Sequence, residues 1–90
     1  MNIDIVSHGF DLTESIRFHV EHRLQRHLSR HWGTVGRVRV TLGDENGPRG
    51  GVDKYCRVAV EPRDGRTLRV QKFSANLYAA VSRSVEALSR

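Results

Sequence analysis

Residues 67–88 read TLRVQKFSANLYAAVSRSVEAL. The stretch begins with an alternation, Leu68 and Val70 on one side and Arg69 on the other, the period of a strand with one buried face. From Leu77 the period changes. Leu77, Ala80, Val81, Ser84, Val85 and Leu88 recur at i, i+3, i+4, i+7, i+8 and i+11, a spacing that lines one face of an α-helix. Ser74 stands between the two patterns and is the expected helix cap. A strand that leads at once into an amphipathic helix is part of a layered fold, because each apolar face must find a cover.

The same two periods recur upstream. KYCRVAVE (54–61) puts Cys56, Val58 and Val60 together, and PRDG (62–65) is a tight-turn signal before the next strand. RVRVTL (37–42) puts Val38, Val40 and Leu42 on one face, and GDENGPRGGVD (43–53) reads as a flexible hairpin loop. Near the start, Ile3 and Ile5 alternate with Asp4 and Val6 in a short strand ended by Gly9. Asp11 with Glu14 is a possible capping box, and Thr13 is a rival cap. Ile16, Val20, Leu24 and Leu28 then step by four, an apolar stripe about 120° wide, and Gly33 and Gly36 are expected to stop that helix. The order is β-α-β-β-β-α. The first two strands, joined by a helix, should lie parallel, and the last three should form an antiparallel meander. The expected fold is a two-layer α/β (α+β) sandwich, a four-stranded sheet with two helices on one face, in a single domain over residues 1–90.

Ninety residues leave no room for a cofactor domain beside a substrate domain. Lys and Arg number 15 against 10 Asp and Glu, and all the cations but Lys54 and Lys72 are Arg. A basic, arginine-rich chain favours a polyanionic partner met by bidentate phosphate contacts. Cys56 is the single cysteine, so no intrachain disulfide is available. MNIDIVSHGF lacks the basic start and apolar run of a signal peptide, no stretch is long and apolar enough for a membrane span, and the expected location is the cytoplasm.

HVEHRLQRHLSRHW (19–32) carries four His and three Arg. His27 and His31 stand at i, i+4, but zinc needs three or four ligands and arginines repel a cation, so no metal or cofactor is expected. The carboxylates Asp44, Glu45, Asp53, Glu61 and Asp64 are scattered at loops and strand ends and read as solvated surface. No nucleophile sits in a defined context, which points away from an enzyme. On a helical wheel at about 100° per residue, His19, His22, Arg23, Arg26 and Arg30 fall on one flank, away from the apolar stripe. His27 and His31 fall near the buried side and read as packing residues. Arg83 and Arg90 on the second helix, with Lys72 just before it, extend the basic surface if the helices lie side by side. A rival surface exists on the opposite sheet face, where Arg37, Arg39, Arg57 and Arg69 share outward parity. An RNA-recognition sheet stacks bases on paired aromatics in a βαββαβ order. This chain has a different order, with only Tyr55 and Phe73 to offer, so the helix face is the expected RNA surface.

MNIDIVSHGFDLTESIRFHV and NLYAAVSRSVEAL together resemble the ribosome hibernation factor family, the hibernation-promoting factor and ribosome-associated inhibitor proteins also called sigma-54 modulation proteins. The second stretch is similar to the family's Asp-Met-Tyr-Ala-Ala-Ile-Asp signature, with Asn76 where Asp is usual and Leu77 where Met is. The resemblance covers nearly the whole chain. It implies a short form without the C-terminal extension, and a non-enzymatic translation inhibitor that docks on small-subunit rRNA in starved cells. It also implies roles for Arg17, Arg23 and Arg26, which match basic positions of the first helix, for Tyr78, the signature Tyr, and for Arg90. The expected rRNA-binding set is thus Arg17, His19, His22, Arg23, Arg26, Arg30, Lys72, Tyr78, Arg83 and Arg90. The alternatives are a general binder of double-stranded or structured RNA and a small metal-binding protein using the His-rich helix. The sequence carries no signal of oligomeric state.

Overall fold

The computed structural model describes residues 2–45 and 52–88, without the Trp32 side chain. The elements follow the expected order: β1 (Asn2–His8), α1 (Glu14–Leu28), a 3-10 turn (Ser29–Thr34), β2 (Val35–Asp44), β3 (Lys54–Pro62), β4 (Leu68–Ser74) and α2 (Leu77–Ala87). The sheet order is β1-β2-β3-β4. β1 runs parallel to β2, from Asn2 opposite Arg37 to His8 opposite Gly43, while β2, β3 and β4 form the antiparallel meander. The part of the 43–53 loop over residues 46–51 lies outside the described residues; Gly43 and Asp44 belong to β2 rather than to the loop.

Alternation and stripe meet in one core. Val20 and Leu24 of α1, Val38, Val40 and Leu42 of β2, Cys56 and Val58 of β3, and Ala80, Val81 and Val85 of α2 are all buried in a single cluster. Each fully buried Val or Leu there contributes about 1.5–3 kcal/mol. Both helices therefore cover the same sheet face, and Arg37, Arg39, Arg57 and Arg69 stand exposed on the other. Leu68 has the inward parity expected of it but keeps 44% of its surface exposed. It lies on the edge strand and borders an open cleft with Leu28, Pro62 and Leu88. At the other end of the sheet, Gly9 takes φ +88°, with Asp44 O 3.0 Å from where a Cβ would stand, so the turn that ends β1 needs glycine.

Several local expectations are corrected. Thr13, not Asp11, caps α1: its backbone is extended and its Oγ1 accepts from Ile16 N at 3.2 Å. Ser74 is the buried last residue of β4, and Asn76 caps α2, its Oδ1 accepting from Tyr78 N (2.8 Å) and Ala79 N (3.3 Å). Ser74 Oγ instead accepts from Asn76 N, which holds the cap residue in place. The α-helix stops at Leu28, short of the glycines, and tightens into the 3-10 turn that runs past Gly33. Gly36 lies inside β2 at the register shift between Val35 and Arg37, where a Cβ would meet Glu61 O at 3.2 Å; such an irregularity tolerates a residue without a side chain. Because of the 3-10 turn, His31 is not one helical turn above His27, and it is exposed while His27 is half-buried. Asp53 is not solvated surface: it is 2% exposed. Lys54 Nζ lies 3.3 Å from its Oδ1 and 3.7 Å from Asp44 Oδ2, which compensates part of the cost of burying a carboxylate.

Candidate nucleic-acid interface

α2 lies over β3 and β4 with α1 beside it. His19 joins the helices: its Nε2 is 3.3 Å from Tyr78 O and 3.5 Å from Ser82 Oγ, and its ring meets the Tyr78 ring edge-on at 5.0 Å. Tyr78 also places its hydroxyl 3.0 Å from Ser15 Oγ while remaining 41% exposed. One turn further along α1, Arg23 Nη2 donates to Glu86 Oε1 at 3.2 Å. Both of these expected contact residues thus belong to the helix–helix seam, with His19 and Arg23 half-buried.

Glu86 is the centre of the cationic surface. On its α1 side, Arg23, Arg26 and His27 border a groove of about 330 Å³. On its sheet side, Lys72 and Arg83 border a second groove of about 300 Å³. Lys72 reaches that groove because it pairs with Cys56 across the sheet and shares its helix-side parity. Arg83 Nη1 donates to Phe73 O at 3.4 Å, which ties the α2 cation to the end of β4. Arg30 lies in the 3-10 turn and borders a further groove with His27, His31 and Leu88.

The structure thus brings Arg23, Arg26, Lys72 and Arg83 together around Glu86, with Arg30 at one end and Tyr78 along the seam. It does not bring Arg17 to them. Arg17 precedes His19 by two residues, about 200° round the helix, and so faces away from α2. Arg90 lies outside the described residues. His22 is exposed and stacks on Phe18, ring centroids 5.4 Å apart and planes within 12°. Phe18 itself is 68% exposed and was missing from the expected set. Its wheel position opposite the apolar stripe, wrong for a core aromatic, was the available signal. Among the described residues no group of three or more His, Cys, Asp or Glu is arranged to hold a metal ion, and no helix is long and apolar enough to cross a membrane.

Two helices side by side on a β-α-β-β-β-α sheet, with cations crowding the grooves along α2, define a small α/β sandwich with a basic helix layer. The chain belongs to the family described as sigma 54 modulation protein / S30EA ribosomal protein, whose model matches residues 3–90. It is similar to the N-terminal domain of Protein Y from Thermus thermophilus, with 27% identity and a TM-score of 0.77 over 98% of this chain and 91% of that one. A ribosomal subunit interface protein from Coxiella burnetii shares the fold, with 19% identity and a TM-score of 0.83 over 98% of this chain and 89% of that one. No curated protein sequence matches the chain significantly.

Proposed function

We propose that the protein is a cytoplasmic, non-enzymatic ribosome-binding inhibitor of translation, a hibernation factor that docks on small-subunit rRNA through its helix layer. The observation that carries this reading is the convergence of Arg23, Arg26, Lys72 and Arg83 on the grooves either side of Glu86, in a chain of this family. Cations at several points of a rigid surface match phosphates held at fixed positions in folded RNA, so shape and charge supply recognition without base readout.

The test is co-sedimentation with ribosomes and separated subunits at low and physiological salt. Arg26→Glu with Arg83→Glu is expected to abolish saturable small-subunit binding at physiological salt, while Arg37→Glu with Arg39→Glu leaves it near wild type. Arg26 and Arg83 are preferred because reversing Arg23 would set two carboxylates against each other at the seam. Equal losses on both faces would refute docking by the helix layer. Equal affinity for any RNA duplex would replace the ribosome with a general double-stranded partner.

A further inference from the structure

The sheet face opposite the helices carries a second cationic surface, and its residues are ordered in rows. Along one row His8, Gly43, Tyr55 and Phe73 stand side by side; in the next, Val6, Thr41, Arg57 and Gln71; in the next, Asp4, Arg39, Ala59 and Arg69. Successive rows are about 6.6 Å apart along the strands. The Tyr55 and Phe73 rings are 5.7 Å apart, tilted by 50°, and Phe73 is 38% exposed. Sequence order alone argued against an aromatic-paired RNA sheet here, but the register builds the pair.

Gly43 makes room for it. A Cβ added at Gly43 would run into the Tyr55 ring, so the ring lies against bare backbone, a close approach that only glycine permits in a strand. Beside the pair, the Arg57 guanidinium is 5.6 Å from the Tyr55 ring centroid, and its Nε donates to Gln71 Oε1 at 3.1 Å. That bond uses the inner nitrogen and sets the direction of the Nη end. Arg39, Arg57 and Arg69 then border a groove of about 300 Å³ floored by Ala59 and Thr41, with Glu61 at its side.

We infer that this sheet face is a binding site for single-stranded RNA, separate from the helix layer. An unpaired base stacks on Tyr55 and Phe73, and the backbone crosses the groove with its phosphates against Arg57, Arg69 and Arg39. Aromatic rings beside a cationic track are what an unpaired strand needs, since every base has a π-face and every nucleotide a charge. A duplex hides its bases and gains nothing from the ring pair. An acidic peptide would use the arginines but not the rings.

The experiment measures anisotropy of a fluorescent oligoadenylate of roughly ten nucleotides, about one site's worth, against a duplex of the same length and a polyglutamate competitor. The wild type is expected to prefer the single strand. Gly43→Ala, which displaces the Tyr55 ring without changing charge, is expected to weaken it roughly five- to a hundredfold. Arg57→Glu with Arg69→Glu is expected to lower the salt slope by roughly 0.7 for each phosphate no longer neutralised. Circular dichroism checks that each variant folds, and Phe73→Ala at the sheet edge removes the ring pair without crowding the backbone. Co-sedimentation of the same variants with ribosomes reports on the helix layer alone and is expected to stay unchanged. Equal affinity of Gly43→Ala, Phe73→Ala and wild type, preference for duplex, or full competition by polyglutamate would overturn the assignment.

Discussion

Asn76 is a single side chain on which the presentation of α2 depends. Its Oδ1 satisfies two of the orphan amides of the first turn, at 2.8 and 3.3 Å, and its carbonyl accepts from Ala80 N at 3.0 Å. No acidic residue stands in that first turn. Asn76→Ala removes both side-chain bonds and is expected to cost about 1 kcal/mol, within the 0.5–2 kcal/mol range of lost caps. For a chain of 90 residues that lowers the melting temperature by about 4–8 °C. Asn76→Asp keeps the acceptor and adds a negative charge at the positive end of the helix, which contributes about 0.3–1 kcal/mol. The sign in pH follows. A carboxylate stabilised by amides and the helix dipole has a folded pKa below its unfolded value of about 3.9. Its gain is present above that value and disappears as pH falls through the folded pKa. Thermal melts of the three proteins at neutral pH and down to roughly pH 2–3 test this. Melting of Asn76→Ala like wild type, or a gain in Asn76→Asp that persists at the acid end, would refute the capping argument.

Ser84 Oγ donates to Cys56 O at 2.7 Å between two fully buried residues. Ser84→Ala is expected to cost about 1–3 kcal/mol in urea unfolding, and an unchanged midpoint would mean that the Cys56 carbonyl is satisfied elsewhere. Burial pushes the Cys56 thiol up to about 12. Because the thiolate is the reactive form, modification by a thiol reagent at pH 8 is expected to track global unfolding, and fast labelling of the native protein would contradict this.

The sheet was legible because each strand buries one face, so parity alone separated Val38, Val40, Val58 and Val60 from Arg37, Arg39, Arg57 and Arg69. The stripes of α1 and α2 were legible for the same reason at period 3.6. What failed was punctuation. Ser74 and Asn76 are both good caps, and only the last ladder bond of β4 decides between them. Gly33 and Gly36 looked like helix stops, yet α1 gave way at Leu28, and Gly36 served the strand that follows. The candidate site was half legible. The wheel placed Arg26 and Arg23 on the flank that meets α2, but the Arg23–Glu86 bond joins residues 63 positions apart. Gly43 looked like part of a loop because its reason for being glycine, the Tyr55 ring, comes from a neighbouring strand. Contacts of that kind are set by register, which a single sequence shows only through the faces it buries.

Glu86 turns the helix layer into something more specific than a basic patch. Its carboxylate holds Arg23 at the seam and borders both cationic grooves, so an RNA phosphate entering either groove meets a negative charge as well as the cations. The pair is solvent-screened, with the two side chains 34% and 66% exposed, and contributes no more than about 0–1 kcal/mol to folding. Removing the charge should therefore cost little stability and end the repulsion that an incoming phosphate meets in either groove. With roughly 1 kcal/mol per charge pair at contact distance in water, Glu86→Gln is expected to tighten ribosome binding about two- to fivefold, with a melting temperature near wild type. The conservative amide keeps shape and hydrogen bonding at the seam, so the effect reads charge. A weaker or unchanged affinity in Glu86→Gln would mean that phosphates do not enter these grooves, and that the cations around Glu86 serve the packing of α1 on α2 instead.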